Sequence, residues 1–124
     1  GGYDPIFIYL HETDFCFRTQ LAGHALTFVP DAVLAVRFRR DRKSTFKQSY
    51  RWGEYNILLF KRYKSYGALP KHRWKRLFLE LRYVISQLFR WYKLDDGQKM
   101  RTLWLLGWLL GKFKGMIRYR TGPY

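Results

Sequence analysis

The sequence is short of acid, of cysteine and of any long apolar run, and each shortage narrows what the chain can be. Nine Asp and Glu stand against 24 Lys and Arg, a formal charge of +15 over 124 residues. Such an excess calls for a polyanionic neighbour or a solvated role, so phosphate, nucleic acid and an anionic membrane surface are the partner classes to consider. The single cysteine, Cys16, excludes an intrachain disulfide and makes a reducing, cytoplasmic compartment the default expectation. Set between Phe15 and Phe17 in an expected helix, it reads as a small buried hydrophobe rather than a nucleophile. The uninterrupted apolar stretch at 103–111 falls well below the roughly 20 residues needed to cross a bilayer. There is no glycine-rich phosphate loop, no zinc-ligand spacing and no aromatic strand signature of an RNA-binding sheet. His11, His24 and His72 are too scattered, with Cys16, to suggest a metal site. The opening Gly1-Gly2-Tyr3-Asp4 shows no apolar leader, and is expected to belong to the back part of something longer.

What is present is apolar and aromatic material in quantity: 48% hydrophobic and 20% aromatic residues, enough for a single unit with a real core. The charge is uneven. Residues 1–36 hold Arg18 against Asp4, Glu12, Asp14 and Asp31, whereas the remainder holds 23 basic and five acidic residues. All of the positive excess therefore follows the first acidic cluster.

Along the chain, Pro5 and the two leading glycines mark a turn, and 6–10 is a short apolar run that suits a strand stub or a pocket wall. A helix is expected over 13–22, with Thr13 or Asp14 as N-cap, Gly23 just past its end, and Phe15, Phe17, Leu21 and Ala22 toward the core. Residues 25–29 and 32–38 read as two short strands around the Pro30-Asp31 turn, giving a sheet edge and an α+β, helix-dominated fold class. A helix from Ser44 or Thr45 to about Tyr66, bent near Gly53, is followed by a break at 67–70. A second helix over 71–93 carries the apolar stripe Leu77, Leu81, Val84, Leu88 and Tyr92. Asp95-Asp96-Gly97 reads as a turn with Asp96 capping the last helix, over 99–119, rather than as a metal-binding pair. In that helix Gly107, Gly111 and Gly115 recur every fourth residue, which admits close approach of another backbone or a flat surface. With cations at both ends and Trp104 and Trp108 within, it suits either packing on the protein or the interface of an anionic membrane. The organisation is thus 1–66, holding two candidate sites, and a basic helical tail over 67–124.

The first candidate site is acidic. Glu12 and Asp14 stand at the mouth of the first helix, near its positive dipole end, where a carboxylate stays ionised and can accept a proton; the alternative is that both merely cap the helix. The second is polar and aromatic. Gln48, Arg51, Trp52 and Tyr55 follow the i, i+3, i+4, i+7 spacing of one helix face. Gln48 also fits a capping box with Thr45, and Trp52 also fits core packing. Between the two sites Arg37, Arg39 and Arg40, with Arg42 and Lys43, form a basic run that is either a solvated loop or a phosphate contact.

In this order the segments resemble the C-terminal part of family 2 glycosyltransferases, the inverting enzymes of GT-A fold. Gly1-Gly2-Tyr3-Asp4 is similar to the Gly-Gly-Phe-Asp segment that precedes the family's acidic motif. His11-Glu12-Thr13-Asp14-Phe15-Cys16-Phe17-Arg18 is similar to Glu-Asp-x-Asp-Leu-Cys-x-Arg. Leu21-Ala22-Gly23-His24 and Val29-Pro30-Asp31-Ala32 follow as in the family. Gln48-Ser49-Tyr50-Arg51-Trp52 is a literal Gln-x-x-Arg-Trp, the signature of its polysaccharide-making branch. The resemblance covers at least 1–66. It departs in two places that matter: Glu12 stands where the family has its catalytic Asp and His11 where it has Glu, and the family's nucleotide-binding half, which lies upstream of the Gly-Gly segment, is missing from these residues.

The resemblance implies the back part of a GT-A fold followed by long amphipathic helices. It further implies transfer of a sugar from a nucleotide-sugar donor to a hydroxyl of a sugar or lipid-linked acceptor, with inversion. Glu12 would be the base and Asp14 the fallback. Gln48 and Arg51 would steady the departing diphosphate or the acceptor, and Trp52 would stack on a sugar ring. The divalent metal, magnesium or manganese, would take its ligands from an Asp-x-Asp motif, which these 124 residues do not contain. Such a chain is expected to be inactive alone and to sit in the cytoplasm, peripheral to the inner face of the membrane. The competing expectation is a non-catalytic basic module that binds nucleic acid or anionic membrane.

Overall fold

The computed structural model describes residues 2–37, 39, 41–67 and 72–123. Among these residues four helices are formed: α1 (His11–Leu21), α2 (Arg42–Tyr63), α3 (Arg73–Phe89) and α4 (Asp96–Tyr119), with 3-10 turns at Lys64–Tyr66 and Trp91–Lys93. Among the described residues there is no strand. The chain divides into two units, Gly1–Arg39 and Arg40–Tyr124.

The absent strands correct the expected α+β class and, with it, the sheet edge of a GT-A fold. Residues 25–29 and 32–37 have the β-branched, alternating composition of strands, but a strand is stable only when a neighbour takes its N–H and C=O groups. Here no ladder forms among the described residues and the segment is exposed throughout; its backbone bonds are local, such as Ala32 N to Val29 O at 3.1 Å. Phe38 lies outside the described residues.

In the first unit α1 begins two residues earlier than its capping pattern predicts, after Leu10 in the left-handed region at φ 61. It ends as expected at Gly23 (φ +89), where Ala22 N donates to Arg18 O and Gly23 N to Gln20 O. Its expected core face is not enclosed. Phe15, Leu21 and Ala22 are exposed, Phe17 and Cys16 are half-buried, and among the described residues of this unit the buried apolar side chain is Phe7. Cys16 is therefore not the buried hydrophobe its neighbours suggest.

In the second unit the caps lie upstream of those expected. Asp41 caps α2, its carboxylate accepting from Ser44 N at 2.7 Å. Asp95, not Asp96, caps α4 in a reciprocal capping box with Gln98. Gln48 therefore takes no part in capping α2. That helix continues unbroken through Gly53, because Gly53 serves packing and not a bend. A Cβ placed there would collide with Trp108 O and stand 3.0 Å from Lys112 N. On α4 the three glycines meet α2 in turn: Gly107 faces Ser49 and Phe46, Gly111 faces the Tyr50 carbonyl, and Gly115 faces Glu54 O and Ile57. Every fourth residue being a bare backbone is what lets the two helices meet closely along three turns. Of the two surfaces expected to use this glycine row, another backbone fills it. Leu77 and Val84 of α3 then pack on Leu109 of α4, with Leu105, Leu106 and Phe113 around them. Each such buried side chain contributes about 1.5–3 kcal/mol.

Candidate functional site

The acidic segment of the first unit is held by a side-chain relay. Arg18 Nε donates to Asp14 Oδ2 at 2.9 Å, one helical turn away, and Arg18 Nη2 donates to the Gly2 carbonyl at 2.6 Å. The stretch from Gly2 to Asp4 is thereby drawn back onto α1. Tyr3 sets its ring edge-on to His11 at 4.8 Å and to Phe15 at 5.6 Å. Asp14 is wholly buried in this arrangement. Glu12 is its opposite: 68% of its side chain is exposed, and its Oε1 lies 3.3 Å from His11 Nε2. Of the two carboxylates, only Glu12 is open to solvent, at the end of the helix where an anion is favoured. Asp14 is occupied with Arg18.

In the second unit Phe46, Ser49, Tyr50, Gly53, Glu54 and Ile57 form the seam with α4. At 100° per residue, Gln48, Arg51, Trp52 and Tyr55 project from the other side of α2. Gln48 and Trp52 are half-buried and Tyr55 is buried. Arg51 keeps over a third of its side chain exposed, with Nη1 3.6 Å from Glu54 Oε2. Arg37 and Arg39 are exposed, and Arg40 lies outside the described residues. Farther on, Arg42 Nη2 donates to Asp96 Oδ1 at 3.1 Å, which ties the start of α2 to the start of α4.

The residue that sequence reasoning missed is Glu54. It is 0% exposed, and it gathers three cations: Lys114 Nζ donates to Oε2 at 2.9 Å, Arg118 Nη1 donates to Oε1 at 2.7 Å, and Arg51 stands beside them. Burial pushes its carboxyl up, but the hydrogen bonds and charges of Lys114 and Arg118 outweigh burial and hold it below the ordinary carboxylate value. The Arg118 guanidinium is held more firmly protonated by the hydrogen bond it donates to Glu54 and by Tyr119, and burial pushes the Tyr119 hydroxyl up. Glu54 is thus a fixed anion that anchors α4 to α2 and stands next to Arg51. The available signal was a glutamate between Gly53, Tyr55 and Ile57, at a position whose neighbours are all buried.

A groove of about 360 Å³ runs between α3 and α4, lined by Leu79, Glu80, Tyr83, Arg101, Leu105 and Trp108. Beside it Lys112, almost wholly buried, donates to Glu80 Oε2 at 2.7 Å. Among the described residues no group of three His, Cys, Asp or Glu side chains is placed to hold a metal ion, so the residues present do not fit the divalent metal implied by the resemblance. Nor, among them, is any helix long and apolar enough to cross a membrane.

No protein-family model, curated protein or solved structure matches the chain.

Proposed function

We propose that this chain supplies the acceptor-side residues of an inverting sugar transferase that uses a nucleotide-sugar donor, acting in the cytoplasm. The observation that carries the reading is the split between the two carboxylates of the acidic motif. Asp14 is buried and bound by Arg18, whereas Glu12, in the place of the family's base, is exposed in the first turn of α1. Glu12 takes the proton of the acceptor hydroxyl as that oxygen attacks the anomeric carbon, and the sugar–phosphate bond breaks on the opposite side, with inversion. Asp14 is a positioning residue: through Arg18 it holds the start of α1 and the Gly2 segment in place. Gln48, Arg51 and Trp52 suit polar and stacking contacts to a saccharide or a diphosphate. Supporting this, α4 packs on the other side of α2 and leaves their face out of the seam. The donor and its metal are left to residues of the Asp-x-Asp kind, which this sequence does not contain.

The test is made in the full-length natural protein, with sugar transfer from a panel of nucleotide sugars as the readout. Glu12→Gln is expected to lower the rate by about a thousandfold, within the range for loss of a general base, with the circular dichroism spectrum unchanged. Asp14→Asn should instead lower activity together with protection of α1 amides from exchange. An active Glu12→Gln protein would remove the assignment of the base. No transfer by the unmodified full-length protein from any donor would remove the transferase reading.

A further inference from the structure

We infer that the outward face of α3 is a docking surface for an anionic lipid bilayer, and that α3 rather than α4 is the membrane-interface helix. This inference does not rest on the transferase reading.

Trp74, Phe78, Leu81, Ile85 and Leu88 fall at i, i+4, i+7, i+11 and i+14, which places them in one stripe about 21 Å long. All five are exposed, Trp74 and Phe78 to 63% each and Ile85 to 44%. The stripe runs alongside the one that holds α3 to α4, where Leu77 and Val84 are buried; Leu81 and Leu88, expected to share that inward stripe, are exposed on its outer flank. An apolar stripe facing out of an already packed helix has found no protein partner within its own unit.

Charge decides what covers it. Over Arg73–Phe89 the helix carries Arg73, Lys75, Arg76 and Arg82, and Lys75 and Arg82 lie one step round from the stripe. Its only carboxylate, Glu80, accepts from Lys112 and so offsets nothing outside. A second copy of the chain would bring the same cations against them, and the formal charge of +15 opposes such pairing at long range. Nucleic acid would match the cations but give five apolar side chains nothing to replace water. A bilayer rich in acidic headgroups satisfies both: apolar side chains sink to the acyl boundary while Lys75 and Arg82 reach the phosphates. Trp74 suits the headgroup level, where an amphipathic ring is favoured. The helix is not long and apolar enough to cross, so the contact lies in the plane of the surface.

The experiment is cosedimentation of the full chain with vesicles of phosphatidylcholine alone and of phosphatidylcholine mixed equally with phosphatidylglycerol. The expected result is binding to the mixed vesicles at least about tenfold tighter than to the neutral ones, weakening as salt is raised. Phe78→Glu combined with Ile85→Glu should lower binding to mixed vesicles by about tenfold or more. A second variant, Lys75→Glu with Arg82→Glu, leaves the apolar stripe whole and should abolish the preference for acidic lipid. Three results would overturn the inference: no binding to either vesicle; mixed-vesicle binding unchanged in both variants; or no vesicle binding together with a dimer, or an oligonucleotide complex, that the Phe78→Glu and Ile85→Glu changes disrupt.

Discussion

The two units of this chain solve the same problem, the burial of short polar-rich segments, by different means. In the first, order comes from one charged side chain: Arg18 links Asp14 of α1 to the Gly2 carbonyl, and most of the apolar side chains around them stay exposed. In the second, order comes from backbone meeting backbone, with Gly53, Gly107, Gly111 and Gly115 clearing the seam between α2 and α4 and Glu54 fixed beneath it. The lesson is that a basic, aromatic composition can be folded without a large apolar core if small residues let polar main chain pack, with a buried anion in each unit to balance the cations.

That contrast can be broken most directly at Gly111. A methyl group there collides with the Tyr50 carbonyl, which belongs to a helix backbone and cannot swing aside. Gly111→Ala is therefore expected to destabilise the second unit by roughly 3 kcal/mol despite its better helix propensity, lowering the melting temperature by about 12–20 °C in a thermal scan. Next in size is Glu54→Gln, which keeps the shape and removes the charge; since Lys114 and Arg118 are partly exposed, the loss is about 2 kcal/mol. It carries a pH signature. The folded carboxyl binds its proton less readily than the unfolded one, so its contribution is complete above the ordinary value of 4.5 and declines as pH falls below it. Urea titrations between pH 3 and 7 should show that decline in the natural protein, roughly one carboxyl's worth, and a shallower one in the variant. The smallest effect is expected in the first unit. Gly23→Ala meets no neighbour but must adopt φ +89, a cost of about 1 kcal/mol seen as faster amide exchange in α1 alone. If Gly23→Ala were as damaging as Gly111→Ala, the contrast between the units would fail.

The helices were legible in the sequence because their signals are local: apolar spacing for α2, α3 and α4, Gly23 for the end of α1, and three glycines at every fourth position for close approach on α4. The absence of strands among the described residues was not, since 25–29 and 32–37 carry strand-forming residues and whether they pair depends on partners elsewhere in a chain. Caps were misplaced by a few residues because Ser44, Thr45 and Asp96 are as good a cap in isolation as Asp41 and Asp95, and only the hydrogen bonds decide. Of the acidic site, the positions of Glu12 and Asp14 at a helix start were readable. Their unequal exposure was not, because it depends on Arg18 reaching both Asp14 and Gly2. Glu54 escaped for a related reason: its hydrogen-bonding cations lie 60 and 64 residues away.

The Lys112–Glu80 pair sets the angle at which α3 lies against its neighbour. Rolling α3 about its own axis by a single residue would carry Glu80 about 100° away and leave an ammonium sealed in the interior without a counter-ion, which is far more costly than sliding one leucine past another. Apolar contacts alone would tolerate several rotational settings, for this helix has hydrophobic residues on more than one side. A single ionic clasp selects one of them, and in doing so determines which of its two oily stripes the molecule shows to the outside.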